Sequence, residues 1–161
     1  MRSLLLVLVL CGLITQVCGF DDDEPGSNCT PVPVSEQEDL INQYIDQQGW
    51  TMQSTASGLR YVIETPGTGD NIMYGDTIEL DYQGALLTGG TFDSGSIGPV
   101  VFSQGGFIPG FEEGLLLFNE GAQGIIILPS ALAYGCFPPQ GSTIGQNQVL
   151  LFEITVTNVD S

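Results

Sequence analysis

The chain contains no histidine and no lysine, and its only two cationic residues are Arg2 and Arg60. A Ser or Cys nucleophile needs a neighbouring base, so Ser–His–Asp and Cys–His acyl transfer are excluded. The absence of lysine also removes the phosphate-gripping residue of a P-loop, and "GTGD" (67–70) and "GGTFDSG" (89–95) lack its spacing. Against two cations stand 19 acids, for a formal net charge of −17. Such a chain repels nucleic acid and anionic membranes. No apolar run reaches the length needed to span a bilayer. Of the four cysteines, two fall in the first 18 residues; the other two, Cys29 and Cys136, are too few for the usual tetrahedral zinc set. No EF-hand spacing occurs, and no cofactor motif is present. The acidity is read first as solubility, with calcium or mineral bound through the acidic surface as the alternative.

The first residues, "MRSLLLVLVLCGLITQVCGF", have a positive start at Arg2, a short apolar stretch from Leu4 to Ile14, and small residues at Val17 and Gly19. This predicts a secretory signal peptide over 1–19, and hence a secreted, extracellular protein. The terminal "NVDS" is not an ER-retention sequence. Residues 20–34, acidic and then Pro-rich, read as a leader. Cys29 and Cys136 remain after cleavage in an oxidising compartment, so a disulfide between them is expected. Asn28-Cys29-Thr30 is also an N-glycosylation acceptor at Asn28, and a glycan there would compete with the bridge.

Residues 35–56 read as an N-terminal helix and linker, and 57–161 as the main domain. Ser35-Glu36-Gln37-Glu38 has the pattern of a capping box. Leu40, Ile41, Tyr44 and Ile45 follow at helical spacing, and Gly49 suits a C-terminal cap, giving a helix over roughly 36–48. Its apolar stripe needs a surface, on the following domain or on a second copy. From Leu59 the period shortens to that of strands: 59–64, 76–86, 91–94, 99–102, 124–129 and 149–159. A short helix is expected from Gly110 towards Phe118, with Phe111, Leu115 and Phe118 on its buried face. Glu112 and Glu113 read as two exposed acids in its first turn, favoured by the helix dipole, rather than as a glycosidase pair. The fold class is α+β.

Aromatic and aliphatic residues with a few polar atoms remain: Tyr82, Phe92, Asp93, Phe102, Phe107, Ile108, Phe111, Tyr134 and Phe152. Taken alone they are compatible with a plain core. Asp93, however, follows a core-type Phe and needs a donor, and Tyr134 opens a long loop, where side chains tend to face a cleft. At these residues the chain resembles the FKBP-type peptidyl-prolyl cis–trans isomerases, the macrolide-binding immunophilins. "SGLRYVI", "DYQGALLTGGTFDS", "FIPGFEEGL", "EGAQGIIILPSALAYG" and "VLLFEITV" stand in that family's order and at its spacings, from about Ser57 to Val159. The helix before "SGLRY" resembles the secreted, macrophage-infectivity-potentiator-like branch.

The resemblance implies a bent antiparallel sheet of about five strands wrapping one short helix. It implies turnover of X–Pro bonds in Pro-containing polypeptides and binding of macrolide-type ligands. A monomer is expected on other grounds: the helix over 36–48 is too short for a stable isolated coiled coil, and the high like charge opposes association. Tyr82, Phe92, Phe102, Phe107, Ile108, Phe111, Tyr134 and Phe152 would line the proline pocket, and Ile144 would wall its loop side. Asp93 would orient Tyr82 and sit near the substrate carbonyl; the Ile108 N–H and the Tyr134 hydroxyl would bind carbonyls. The chemistry agrees with what the chain lacks. X–Pro rotation crosses a barrier of ~18–20 kcal/mol set by amide resonance and needs no nucleophile or base. The chain departs from the family pattern at three places: Phe111 replaces the usual Trp, "DSGSIGPVV" carries no Arg for Asp93, and the loop after "AYG" begins Cys136-Phe137-Pro138-Pro139. Two other functions fit the same residues, a low-activity module that holds Pro-containing segments and an acidic component of an extracellular, calcified matrix.

Overall fold

The computed structural model describes residues 29–161; the expected signal peptide, the acidic run at 21–24 and Asn28 lie outside them. Helix α1 (Val34–Gln48) comes first, then β1 (Gln53–Ser54), β2 (Arg60–Thr65), β3 (Thr77–Leu86) and β4 (Thr91–Val101). Helix α2 (Pro109–Leu115), β5 (Gln123–Leu128), a 3-10 turn at Ser130–Leu132 and β6 (Leu150–Asp160) complete the chain. The strands form one six-stranded sheet in the order β1-β2-β5-β6-β3-β4, antiparallel at every junction. The class is the expected α+β. The segments 91–94 and 99–102 merge into a single strand that stays paired with β3 through register shifts, and the two-residue β1, which pairs with β2, brings the count to six rather than five.

The uninterrupted "GIIIL" of β5 follows from its place inside the sheet. Its residues 124–128 are all buried. Alternate side chains of a strand point to opposite faces, and here both faces are covered. Ile126 and Leu128 join Phe111, Leu115, Leu150 and Phe152 in the core beneath α2. Ile125 and Ile127 join Ile41 and Ile45 of α1, with Val149 and Leu151, on the other face. The apolar stripe of α1 therefore docks on its own domain. Burying Ile41 and Ile45 contributes roughly 1.5–3 kcal/mol each. Leu40, expected in the stripe, is 51% exposed.

α1 starts earlier than its sequence suggests. Pro33 is the N-cap, with no side-chain cap, and its carbonyl accepts the Glu36 N–H. Ser35 thus lies inside the first turn, and the capping box does not form. Proline's fixed φ and missing N–H cost nothing at a helix start. At the other end Gly49 takes the left-handed conformation (φ 70°) and closes the helix as expected. α2 stops at Leu115, short of Phe118, which is buried just beyond it. Its two glycines let it lie close to the sheet: a Cβ on Gly114 would come 2.6 Å from Ile126 Cδ1, and one on Gly110 would come 2.8 Å from Leu128 Cδ2.

Candidate active site

Five separate pieces of chain converge on a cleft of about 580 Å³. β3 supplies Tyr82, β4 supplies Phe92, Asp93 and Ile97, and β6 supplies Phe152. The approach to α2 supplies Phe107 and Ile108, the helix itself Phe111, and the loop after the 3-10 turn Tyr134. Phe111 and Phe152 form the floor, at 4% and 5% exposure, with ring centroids 4.9 Å apart and planes at 68°. Phe107 stands 5.5 Å from Phe111, Tyr82 lies edge-on to it at 6.3 Å, and Phe92 meets Phe152 edge-on at 5.6 Å. Such T-shaped contacts match positive ring edges to negative ring faces, so the rings hold one another upright.

Two backbone features of β3 and β4 create this cage. Asp93 pairs with Gly84 while Thr91 pairs with Ala85, so Phe92 is an extra residue in β4. A bulge of this kind re-aims side chains that would otherwise alternate, and Phe92 and Asp93 both line the cleft. Gly84, opposite Asp93 on one side and Phe152 on the other, leaves room for the rings. A Cβ there would come 2.5 Å from Phe92 Cζ and 3.0 Å from the Phe152 ring. Sequence reasoning did not single out Gly84 or Ile97; a glycine inside an otherwise strand-like run was the available signal.

Tyr82, Asp93 and Tyr134 bring polar side-chain atoms to the cleft. The Tyr82 hydroxyl donates to Asp93 Oδ2 at 2.7 Å. That bond, then burial, then the charges of Asp93 and Tyr134, push the Tyr82 phenol up to about 12, so it remains a neutral donor at any ordinary pH. Among the described residues, neither the Ile108 N–H nor the Tyr134 hydroxyl has a hydrogen-bond partner, and both residues line the cleft. Pro109 fills the first helical position of α2, and Ile108 is its N-cap in extended conformation.

Two of the expected lining residues lie elsewhere. Phe102 is fully buried; its N–H donates to the Asp76 carbonyl at the end of β4, and its ring stacks on Tyr74 at 4.8 Å. It supports Phe107 from behind, 6.4 Å away, and does not line the cleft. Ile144 is 7% exposed and belongs to the core, because the 138–148 loop folds back to bond Asn147 N–H to the Gly135 carbonyl. The acids of α2 are also placed differently from the expectation. Glu112 is buried and accepts the Phe107 N–H at 3.0 Å, which fixes the rim of the cage. Glu113 accepts the Ser57 hydroxyl at 2.7 Å. Trp50 sits on the far side of the sheet with Tyr44. Cys29 and Cys136 are bonded as a disulfide with Cα atoms 5.6 Å apart, two residues beyond Tyr134.

Residues 69–157 match the family model of the FKBP-type peptidyl-prolyl cis-trans isomerases. A probable FKBP-type isomerase FkpA of Neisseria meningitidis is 36% identical over 110 residues, 67% of this chain and 40% of its own length. The outer membrane protein MIP of Legionella longbeachae is 37% identical over 107 residues, 64% of this chain and 45% of its own. The chain thus spans less than half the length of these curated relatives. The crystal structure of FkpA from Escherichia coli superposes with a TM-score of 0.64 at 26% identity, covering 79% of this chain and 61% of that one. A peptidyl-prolyl isomerase from Pseudomonas syringae gives 0.64 at 25% identity, over 82% of this chain and 99% of its own. The matched segment covers more than half of the chain, and the chain belongs to the FKBP-type peptidyl-prolyl cis-trans isomerase family.

Proposed function

We propose that the protein is a peptidyl-prolyl cis–trans isomerase acting on Pro-containing polypeptides outside the cytoplasm. The observation that carries this is the aromatic cage over Phe111 and Phe152, with its polar atoms confined to Asp93, Tyr82, Tyr134 and the Ile108 N–H. A proline ring suits an apolar slot of this kind. The planar amide is the more charge-separated form and is favoured by water. The twisted amide loses resonance and much of that polarity, so a dry aromatic floor disfavours it less than water does. Each ~1.4 kcal/mol gained at the twisted state raises the rate tenfold. The free Ile108 N–H and Tyr134 hydroxyl are suited to hold the flanking carbonyls while the bond between them turns. Asp93, held by Tyr82, lines the cleft as its carboxylate. No step requires a base, in keeping with a chain that has no His or Lys.

An extracellular setting is supported by the signal-like N-terminus and by the Cys29–Cys136 bridge, since disulfides persist where the surroundings oxidise. The name of the Legionella relative, an outer membrane protein, points the same way. A second reading, a module that holds Pro-containing segments with weak turnover, is favoured by the smaller Phe111 floor. A protease-coupled assay on a short Xaa–Pro peptide separates the two. Turnover that falls at least tenfold in Phe111→Ala supports the enzyme. Peptide binding by calorimetry with a rate equal to that of buffer supports the module.

A further inference from the structure

Gln37 lies on α1, outside the family-matched segment, and is a buried polar residue at 6% exposure. Its amide makes two bonds to backbone groups far along the chain. Oε1 accepts the Ser130 N–H at 2.8 Å, and Nε2 donates to the Asn147 carbonyl at 2.9 Å. These two residues form the root of the Tyr134 loop. The Ser130 carbonyl accepts the N–H of Gly135, and the Gly135 carbonyl accepts the N–H of Asn147 at 2.7 Å. Gly135 is therefore gripped on both sides, and Gln37 bridges the two grips from beneath. Asn147 stands in the left-handed region at φ 55°, and its side chain donates to the Thr30 carbonyl at 2.9 Å. The segment ahead of α1, already joined to Cys136 by the disulfide, is thereby tied to the same loop.

We infer that Gln37 and Asn147 are positioning residues for Tyr134, and that α1 acts on the cleft through the Gln37 amide. The inference rests on the isomerase reading of the cleft. A side-chain amide at position 37 is hard to explain by packing alone. It shares the buried stripe of α1 with Ile41 and Ile45, where an aliphatic residue would serve, and an unpaired buried amide would be costly. The amide suits the place because one acceptor and one donor meet it there. Tyr134 needs such support because its hydroxyl has no bond of its own among the described residues, and beside the disulfide and the Asn147 bonds its loop is held by short-range turns.

The test compares Gln37→Met, which keeps the volume and removes both bonds, with Ile41→Val, which loosens the same helix without touching the loop. Gln37→Met is expected to raise amide hydrogen exchange at Gly135 and Asn147 and to lower kcat/KM on an Xaa–Pro peptide by about fivefold. Ile41→Val, though less stable, keeps the wild-type rate. In a Tyr134→Phe background the same Gln37→Met change should cost less than about twofold, because the group it positions has gone. Unchanged exchange at Gly135 and Asn147 would overturn the inference, and so would an equal loss of activity with and without the Tyr134 hydroxyl. Should the wild type bind the peptide without turning it over, the isomerase reading fails. The same cycle is then read on the peptide dissociation constant from calorimetry, where a Tyr134-dependent weakening supports the positioning role and equal weakening rejects it.

Discussion

The Tyr82–Asp93 pair is the most direct handle on the cleft. The phenol is pushed up to about 12 chiefly by its bond to Asp93. Raising an acid's affinity for its proton in the folded state favours folding while that proton is present. The contribution is complete below the ordinary value of 10.0 and disappears as pH rises through about 12. An ultraviolet titration should find one tyrosine ionising near 12, and Asp93→Asn should bring it down towards 10. Tyr82 should leave no inflection in the pH–rate profile below about 10. Removing single polar atoms should have graded effects on turnover. Tyr134→Phe loses one hydrogen bond and keeps the ring, for a loss of about fivefold in kcat/KM. Asp93→Ala releases Tyr82 as well as removing the carboxylate, and should cost about tenfold or more in the same assay.

Among the elements, β3 has the least freedom to change. It is the strand shared by the bulged β4 and by β6, and Gly84 is where the Phe92 and Phe152 rings cross it. Gly84→Ala should push both rings into the cleft. We expect a stability loss of about 1–3 kcal/mol by urea denaturation, as for other overpacked sites, together with a rise in KM as the slot narrows. A variant with normal KM would show that the rings retreat into the core instead. α2 contributes in a different way. Its first turn carries Glu112, whose carboxylate is spent on the Phe107 N–H, so the helix both roofs the core and holds the rim of its own pocket.

At the scale of the molecule, one covalent tie and one charge balance dominate. The Cys29–Cys136 bridge closes a loop of sequence separation 107. Cross-links over loops of that size restrict the unfolded chain strongly, and losing them typically costs about 2–5 kcal/mol. Cys29→Ser with Cys136→Ser should show this in denaturant, with unfolding still cooperative because the sheet and both cores remain. The net charge of −17 opposes self-association, and Ile41 and Ile45 are already buried in the chain's own sheet. Light scattering at physiological salt should therefore give a monomer, and a dimer would show that another face, such as the exposed Met73–Tyr74 and Val100–Val101 region, is used for pairing. Calorimetric titration with calcium tests whether the acidity serves metal binding, as a matrix component would require.

What the sequence by itself determined was local or periodic. The strand alternation, the helical stripe of α1, the Gly49 stop and the ordered blocks from "SGLRYVI" to "VLLFEITV" were all readable because each depends on neighbours a few residues apart. The cleft residues taken alone read equally well as core; only the resemblance carried by those blocks set them apart, and the absence of His and Lys agreed with a reaction that needs no base. The tertiary structure alone decided which residues face that cage. Phe102 and Phe107 look equivalent in the sequence, yet a bond to Asp76 turns one into the core while Glu112 holds the other at the rim. Ile144 is drawn inward by the return of its loop, and Glu112 is buried because a backbone N–H meets it there. Gln37 reads as a surface residue until Ser130 and Asn147 arrive from about a hundred positions away. Register, bulges and long-range hydrogen bonds depend on which strands and loops become neighbours, and no periodicity within a segment encodes its partner.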